Sequence, residues 1–248
     1  KSGNKLNLGL VDAFAAMGYA SYRLVPGLGM LAPFDPNDGL EAYQLNLFCC
    51  KQDRAMALAG DGILAMEKNI PESVSASDHW WRQELVTWPF AASMHADWFT
   101  AESISRQTGS DYGAIVSLYG AAHDSARDPA TRYAALRIAY EGLTALCQTD
   151  SDPYRLSTLA RVAREFGARR VAVFIIGKAI QSLTQDDPGP PGQPFLPASE
   201  HFDRVVASGR LRSWLLASLL DQGISLFAYS TYFAPLELLQ NLEALKST

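Results

Sequence analysis

Residues 152–183, DPYRLSTLARVAREFGARRVAVFIIGKAIQSL, carry the clearest structural signal in the chain. Asp152 followed by Pro153 is a helix start, because the acidic side chain can accept hydrogen bonds from free amides and proline fits the first helical position. Gly167 separates two stretches in which apolar residues recur at helical spacing. The pattern predicts an antiparallel helical hairpin. Three small residues would let its helices approach closely: Ala160, Ala172 and Ala179.

The basic residues of this hairpin are the densest in a chain that is acidic overall. The net charge is −5, from 21 Lys and Arg against 26 Asp and Glu. We interpret the basic cluster as a solvated helix face. Its members, which lie beside Glu165, are Arg161, Arg164, Arg169 and Arg170. Because no basic stripe is present to neutralise phosphates, the composition does not favour nucleic acid as a partner.

Helical patterns extend on both sides of the hairpin. Asp128-Pro129 repeats the helix start signal, and a helix that begins at Asp78 is interrupted at Pro89. Residues 71–77 form a polar connector that we take as the domain boundary, and the Pro- and Gly-rich residues 184–199 form a loop. Three more helices are predicted at the end of the chain, over residues 209–222, 223–232 and 235–246.

The first fifty residues follow a different pattern. A helix over residues 6–17 runs through Gly18 into a strand over residues 19–26. The stretch GMLAPFD (residues 29–35) follows as an antiparallel partner, and residues 43–50 alternate as a further strand. A helix that feeds a strand with antiparallel partners is how many α/β sheets end. We therefore expect a remnant of an α/β domain at the front of the chain.

This front part resembles the end of the FkbM-type methyltransferase domain. Residues 18–24, GYASYRL, match the family's GYxxYRL strand, and Leu45-Asn46-Leu47-Phe48 matches the Asn-Leu-hydrophobic core of its final strand. Proteins of this family depend on S-adenosylmethionine and methylate oxygen atoms, commonly on sugars or related small molecules. The resemblance therefore implies S-adenosylmethionine as the cofactor of the intact parent protein and a small-molecule or sugar acceptor.

The family's cofactor loop belongs to the front half of the domain, which has no counterpart in this sequence. We therefore assign no catalytic or cofactor-binding residue, and we expect residues 1–248 to bind no S-adenosylmethionine on their own. An Arg on a strand near a sheet end can contact a substrate, whereas the alternative is an ordinary edge salt bridge. Three residues are candidate substrate-binding residues: Tyr22, Arg23 and Asn46.

A second resemblance concerns the helical part. Residues 156–183 are similar to one tetratricopeptide hairpin, with a Leu-Ala pair, Phe-Gly before the turn and two small Ala positions on the second helix, although a full array of three repeats is not evident. The predicted fold is mainly α. Residues 1–70 form the C-terminal remnant of a Rossmann-like methyltransferase sheet with an antiparallel end, and residues 71–248 form an α-helical, tetratricopeptide-like domain.

Two further groups of side chains are candidates for ligand binding. Flat aromatic rings can line a carbohydrate groove, or they can pack as core between helices or against the rest of the α/β domain. We favour packing for four tryptophans: Trp80, Trp81, Trp88 and Trp98. The histidines fall in four different elements without a cysteine cluster, so we expect no metal site. They are His79, His95, His123 and His201.

The cysteines and the apolar runs of the sequence indicate the cellular compartment. Three cysteines make no disulfide framework, and the adjacent Cys49 and Cys50 point to opposite faces of a strand, so a reducing cytoplasm is expected. The longest purely apolar run covers residues 171–176, far short of a membrane span, so we expect no membrane partner.

Two hypotheses for the function follow. In the first, the chain is the C-terminal part of an FkbM-type O-methyltransferase whose helical accessory domain binds the acceptor or a protein partner. In the second, it is a non-enzymatic helical protein-interaction module whose first fifty residues merely resemble the end of a sheet.

Overall fold

The predicted hairpin lies at the centre of a mainly helical structure with one small antiparallel sheet. The computed structural model describes residues 8–36, 46–75, 79–99, 112–149, 152–185, 187–207 and 209–227. The helices are α1 (Leu8–Ala16), α2 (Gln52–Gly60), α3 (His79–Gln83), α4 (Tyr112–His123), α5 (Pro129–Leu146), α6 (Pro153–Phe166), α7 (Arg169–Gln185) and α8 (Leu211–Phe227). Short 3₁₀ turns cover Glu67–Asn69, Leu85–Thr87, Ala91–Ser93 and Glu200–Arg204.

The hairpin prediction is confirmed in its caps and in its packing. The Asp152 side chain accepts hydrogen bonds from the amides of Tyr154 and Arg155, with Pro153 at the start of α6. Gly167 ends α6 with φ 95°, a left-handed conformation that favours glycine. Helices α6 and α7 pack on each other, and the three small residues predicted at their contact, Ala160, Ala172 and Ala179, are all buried. Small side chains thus allow the close helix contact that the sequence predicts.

Two helical predictions differ from the structure. The segment before Pro89 is a short α3 that ends at Gln83, followed by a 3₁₀ turn over Leu85–Thr87, rather than one helix that continues to Pro89. Near the end of the chain, α8 runs without a break through Gly223. A glycine inside a helix costs about 1 kcal/mol, but Gly223 and its apolar neighbours Leu219 and Leu220 are buried, and this burial outweighs the cost.

The remaining helical predictions meet the limits of the described ranges. Asp128 caps α5 as predicted, since its side chain accepts from the amides of Ala130 and Thr131. The helix predicted over residues 235–246 lies outside the described residues, as do the first residues of the strand predicted over 43–50.

The sheet has the strand order β2-β1-β3, with β1 (Ala20–Val25) between β2 (Met30–Pro33) and β3 (Phe48–Cys50). Both pairs are antiparallel, which confirms the predicted antiparallel strands. The outer side of β2 forms one parallel bridge, from Leu31 to Leu64. Along the described ranges, the outer side of β3 pairs with no strand.

The two faces of the sheet have different partners. On one face Val25, Met30 and Ala32 belong to the same core cluster as the helices after residue 79. On the other face Tyr22 and Leu31 pack with α2 in a small second cluster. The main core is therefore continuous across residue 70, while the division into domains at that residue stays a prediction.

The close contact between α6 and α7 gives the first prediction. Ala172→Arg should lower the free energy of unfolding by an amount on the order of a few kcal/mol, because it forces a charge and excess volume between the two helices. Arg170→Ala is the matched control, since Arg170 is exposed on the same helix and surface changes usually stay within about 0.5 kcal/mol. Urea unfolding of both variants makes the comparison, and equal effects would contradict the close packing.

Candidate functional site

Arg23 is the candidate residue whose surroundings are most informative. Its side chain is only 1% exposed. Nη1 donates to the Phe166 carbonyl oxygen at 2.7 Å, and Nη2 donates to the Tyr133 hydroxyl at 3.4 Å. The guanidinium carbon also lies 4.4 Å from the centre of the Phe166 ring. Arg23 therefore ties β1 to the end of α6, a contact between residues 143 apart in sequence and not the edge salt bridge weighed above.

The other two candidates lie away from the Arg23 guanidinium. Tyr22 is buried on the opposite face of β1, where it packs with Ala55 of α2. Asn46 is exposed, just before β3. The structure therefore does not bring Tyr22, Arg23 and Asn46 together in one pocket, and a substrate contact by any of them stays a prediction.

The turn between β1 and β2 is seated on the last residues of α6. The Gly27 amide donates to the Glu165 carbonyl oxygen at 2.9 Å. A Cβ atom on Gly27 would lie 2.3 Å from the Cβ of Glu165 and 2.9 Å from its Cα, so only glycine permits this approach. Together with the Arg23 contact, the turn joins the sheet to the centre of the helical part.

A network of buried charged residues lies next to the contact between Gly27 and Glu165. The Arg161 side chain is 4% exposed and forms a bidentate pair with Asp203, at 2.6 Å and 2.9 Å. Its Nε donates to the Tyr119 hydroxyl at 3.0 Å and to Glu165 Oε1 at 3.1 Å. The Tyr119 hydroxyl in turn donates to Glu165 Oε1 at 3.2 Å. Burial holds the pKa of Tyr119 well above its ordinary value, so this hydroxyl keeps its proton.

The second oxygen of Glu165 faces a histidine. His123 Nε2 lies 3.0 Å from Glu165 Oε2, and His123 Nδ1 lies 2.9 Å from the Tyr119 carbonyl oxygen. Burial raises the pKa of the Glu165 carboxyl, but the contacts with His123 and Arg161 outweigh that effect and hold the pKa below its ordinary value. Glu165 is therefore a buried carboxylate that keeps its charge.

This network corrects the interpretation of the basic cluster. Arg161 and Glu165 are buried and not on a solvated face, whereas Arg164 and Arg169 are partly exposed and Arg170 is exposed. The sequence holds a signal for the difference: Ser157, Arg161 and Glu165 recur every four residues, which places them on one side of α6. The loop over residues 187–207 covers this side, since Ser157 Oγ donates to the Leu196 carbonyl oxygen at 2.9 Å.

The tryptophans serve mainly as core, which confirms the packing interpretation for Trp81 and Trp98. Trp98 packs against Phe195, with ring centres 6.2 Å apart. Trp88 and Trp80 are half-buried, and Trp88 lies 5.8 Å from the Arg161 guanidinium carbon, where it shields the charged network. The tryptophan rings thus pack against other aromatic side chains or against Arg161.

Two other groups of polar residues do not form a reactive site. Ser199 Oγ donates to Asp221 Oδ2 at 2.6 Å, and His201 Nδ1 lies 2.9 Å from the same oxygen. Ser199 also accepts from the His201 amide, so it caps a 3₁₀ turn and has no histidine base. An open cleft at the start of α8 is lined by exposed charged residues: Asp97, Asp187, Arg210 and Arg212.

Within the described ranges, no group of three or more His, Cys, Asp or Glu side chains is placed to hold a metal ion. No helix there is long and apolar enough to cross a membrane. The three cysteines Cys49, Cys50 and Cys147 are free thiols.

An apolar surface runs over α1 and the sheet edge. Leu10 and Met17 are 57% and 58% exposed, and no residue of α1 is buried although most of the helix is apolar. Leu24 and Phe48 are exposed large apolar side chains on β1 and β3. We call the set Leu8, Leu10, Met17, Leu24 and Phe48 the α1–β3 surface. Exposed large apolar side chains on neighbouring elements are characteristic of surfaces that another segment covers.

Comparisons of the chain with protein-family models, curated proteins and solved structures give no match. The candidate sites are therefore taken from the geometry of the structure: they are the α1–β3 surface and the charged network around Glu165.

The buried network gives the second prediction. Arg161→Met should lower the free energy of unfolding by about 3–5 kcal/mol, because Glu165 and Asp203 lose the guanidinium that neutralises them. Arg127→Met is the control, since its pair with the exposed Asp124 lies outside this network and is worth about 1 kcal/mol or less. Urea unfolding at pH 6 compares the two variants. Equal losses would mean that the buried network is not specially stabilising.

Proposed function

We propose that this chain is the C-terminal part of an FkbM-type, S-adenosylmethionine-dependent O-methyltransferase. In this proposal α1 and the three strands complete the sheet of the catalytic domain, and the helical part binds a small-molecule or sugar acceptor or a protein partner. The observation that carries the proposal is the exposed α1–β3 surface beside the edge of β3, which pairs with no further strand among the described residues. The free thiols and the absence of a membrane-spanning helix in the described part are compatible with a cytoplasmic parent protein.

The helix α1 supports the proposal through its composition. Its sequence, LGLVDAFAA, is almost entirely apolar, yet it buries no residue in the described structure. An amphipathic surface helix places charged side chains outward, and Asp12 is the sole charged residue of α1. A helix that is apolar all round belongs between layers, which is the position of a helix that flanks an α/β sheet.

The sheet supports the proposal through its unequal edges. The outer side of β2 is bridged to residues 63–65 by hydrogen bonds at Leu31. Strand β3 has only three residues and pairs on one side alone among the described strands. An open edge beside exposed apolar side chains is where a further strand adds to a sheet.

The described residues do not fit S-adenosylmethionine. Such a cofactor is normally held where a parallel strand leads into a helix N-terminus. Here all paired strands are antiparallel, and the one parallel contact is the single bridge between Leu31 and Leu64. We therefore derive no catalytic step for this chain. Its contribution would be to complete the sheet and to position a partner through the rigid helical part.

The interaction module remains the second candidate because the sheet and the helices share one core. A single folded unit needs no further domain to explain it. The coding sequence upstream of Lys1 separates the two proposals. A reading frame that continues into a Gly-rich strand–helix turn would support the methyltransferase, and an initiation codon just before Lys1 would support the module.

The third prediction concerns the cofactor. Calorimetric titration of residues 1–248 with S-adenosylmethionine should give no heat of binding, since the described residues offer no cradle for it. A protein that includes the upstream strand–helix turn should bind it. Micromolar binding to residues 1–248 alone would contradict the assignment of the cofactor site to another part of the parent protein.

The fourth prediction concerns the α1–β3 surface. The isolated chain should self-associate through it, and Leu10→Gln combined with Phe48→Gln should weaken association by about tenfold or more, because burying each such side chain contributes about 1.5 kcal/mol or more. Phe174→Gln is the control, since Phe174 is 71% exposed on α7 and lies outside this surface. Light scattering over a concentration series measures the mass. An equal effect of Phe174→Gln on the measured mass would mean that the chain does not associate specifically through the α1–β3 surface.

A further inference from the structure

We draw no further inference here: the strongest candidate, the open cleft at the start of α8 between Asp97, Asp187, Arg210 and Arg212, joins a helix N-terminus to exposed charged side chains, and among the described residues that line it no buried polar side chain without a partner points to a ligand.

Discussion

The structure depends on one constraint: α6 is buried on all sides, yet one of its sides is polar. Its apolar stripe packs against α7 through Ala160, which leaves Ser157, Arg161 and Glu165 on another buried face. Buried polar groups are tolerated only when they are hydrogen-bonded, and buried charges only when they are paired. Every element that touches this face must therefore supply a specific partner as well as apolar surface.

The loop over residues 187–207 meets that demand without regular secondary structure before its final 3₁₀ turn. It offers main-chain carbonyl oxygens to Ser157 and Arg161, and it places Asp203 opposite the guanidinium. Phe195 anchors the same loop in the aromatic core, 5.5 Å from Phe90 between ring centres. The loop is rich in proline, which lowers the entropy lost when an irregular segment is fixed. A proline-rich composition suits a loop that must keep a single conformation over a charged helix face.

How much of this fold could be predicted depends on the distance between partners along the chain. The caps at Asp128, Asp152 and Gly167 act within a few residues, and the sequence predicts all three. The burial of Arg161 depends on Asp203, 42 residues away, and that of Arg23 on Phe166, 143 residues away. A basic residue on a helix is usually solvated, so the local pattern predicts that Arg161 is exposed. In the structure Arg161 is buried. The four-residue spacing of Ser157, Arg161 and Glu165 indicates a second face, but it does not show what covers that face.

The same distances explain why the sheet behaves as part of the helical unit. Arg23 and Gly27 both attach to the last turn of α6, one through the Phe166 carbonyl oxygen and the other through that of Glu165. Detaching the sheet would expose the Arg23 guanidinium, the Phe166 ring beneath it and the side-chain stem of Glu165 at once. The opposite face packs on α2 through Tyr22 and Leu31, and beyond that contact the α1–β3 surface leaves apolar side chains such as Leu24 and Phe48 exposed. One side of the sheet is thus fixed by specific hydrogen bonds, whereas the other is suited to non-directional apolar packing. In the proposed methyltransferase, a catalytic layer added to the apolar side would be held rigidly relative to the helices through α6, because the specific contacts already fix the sheet on its other side.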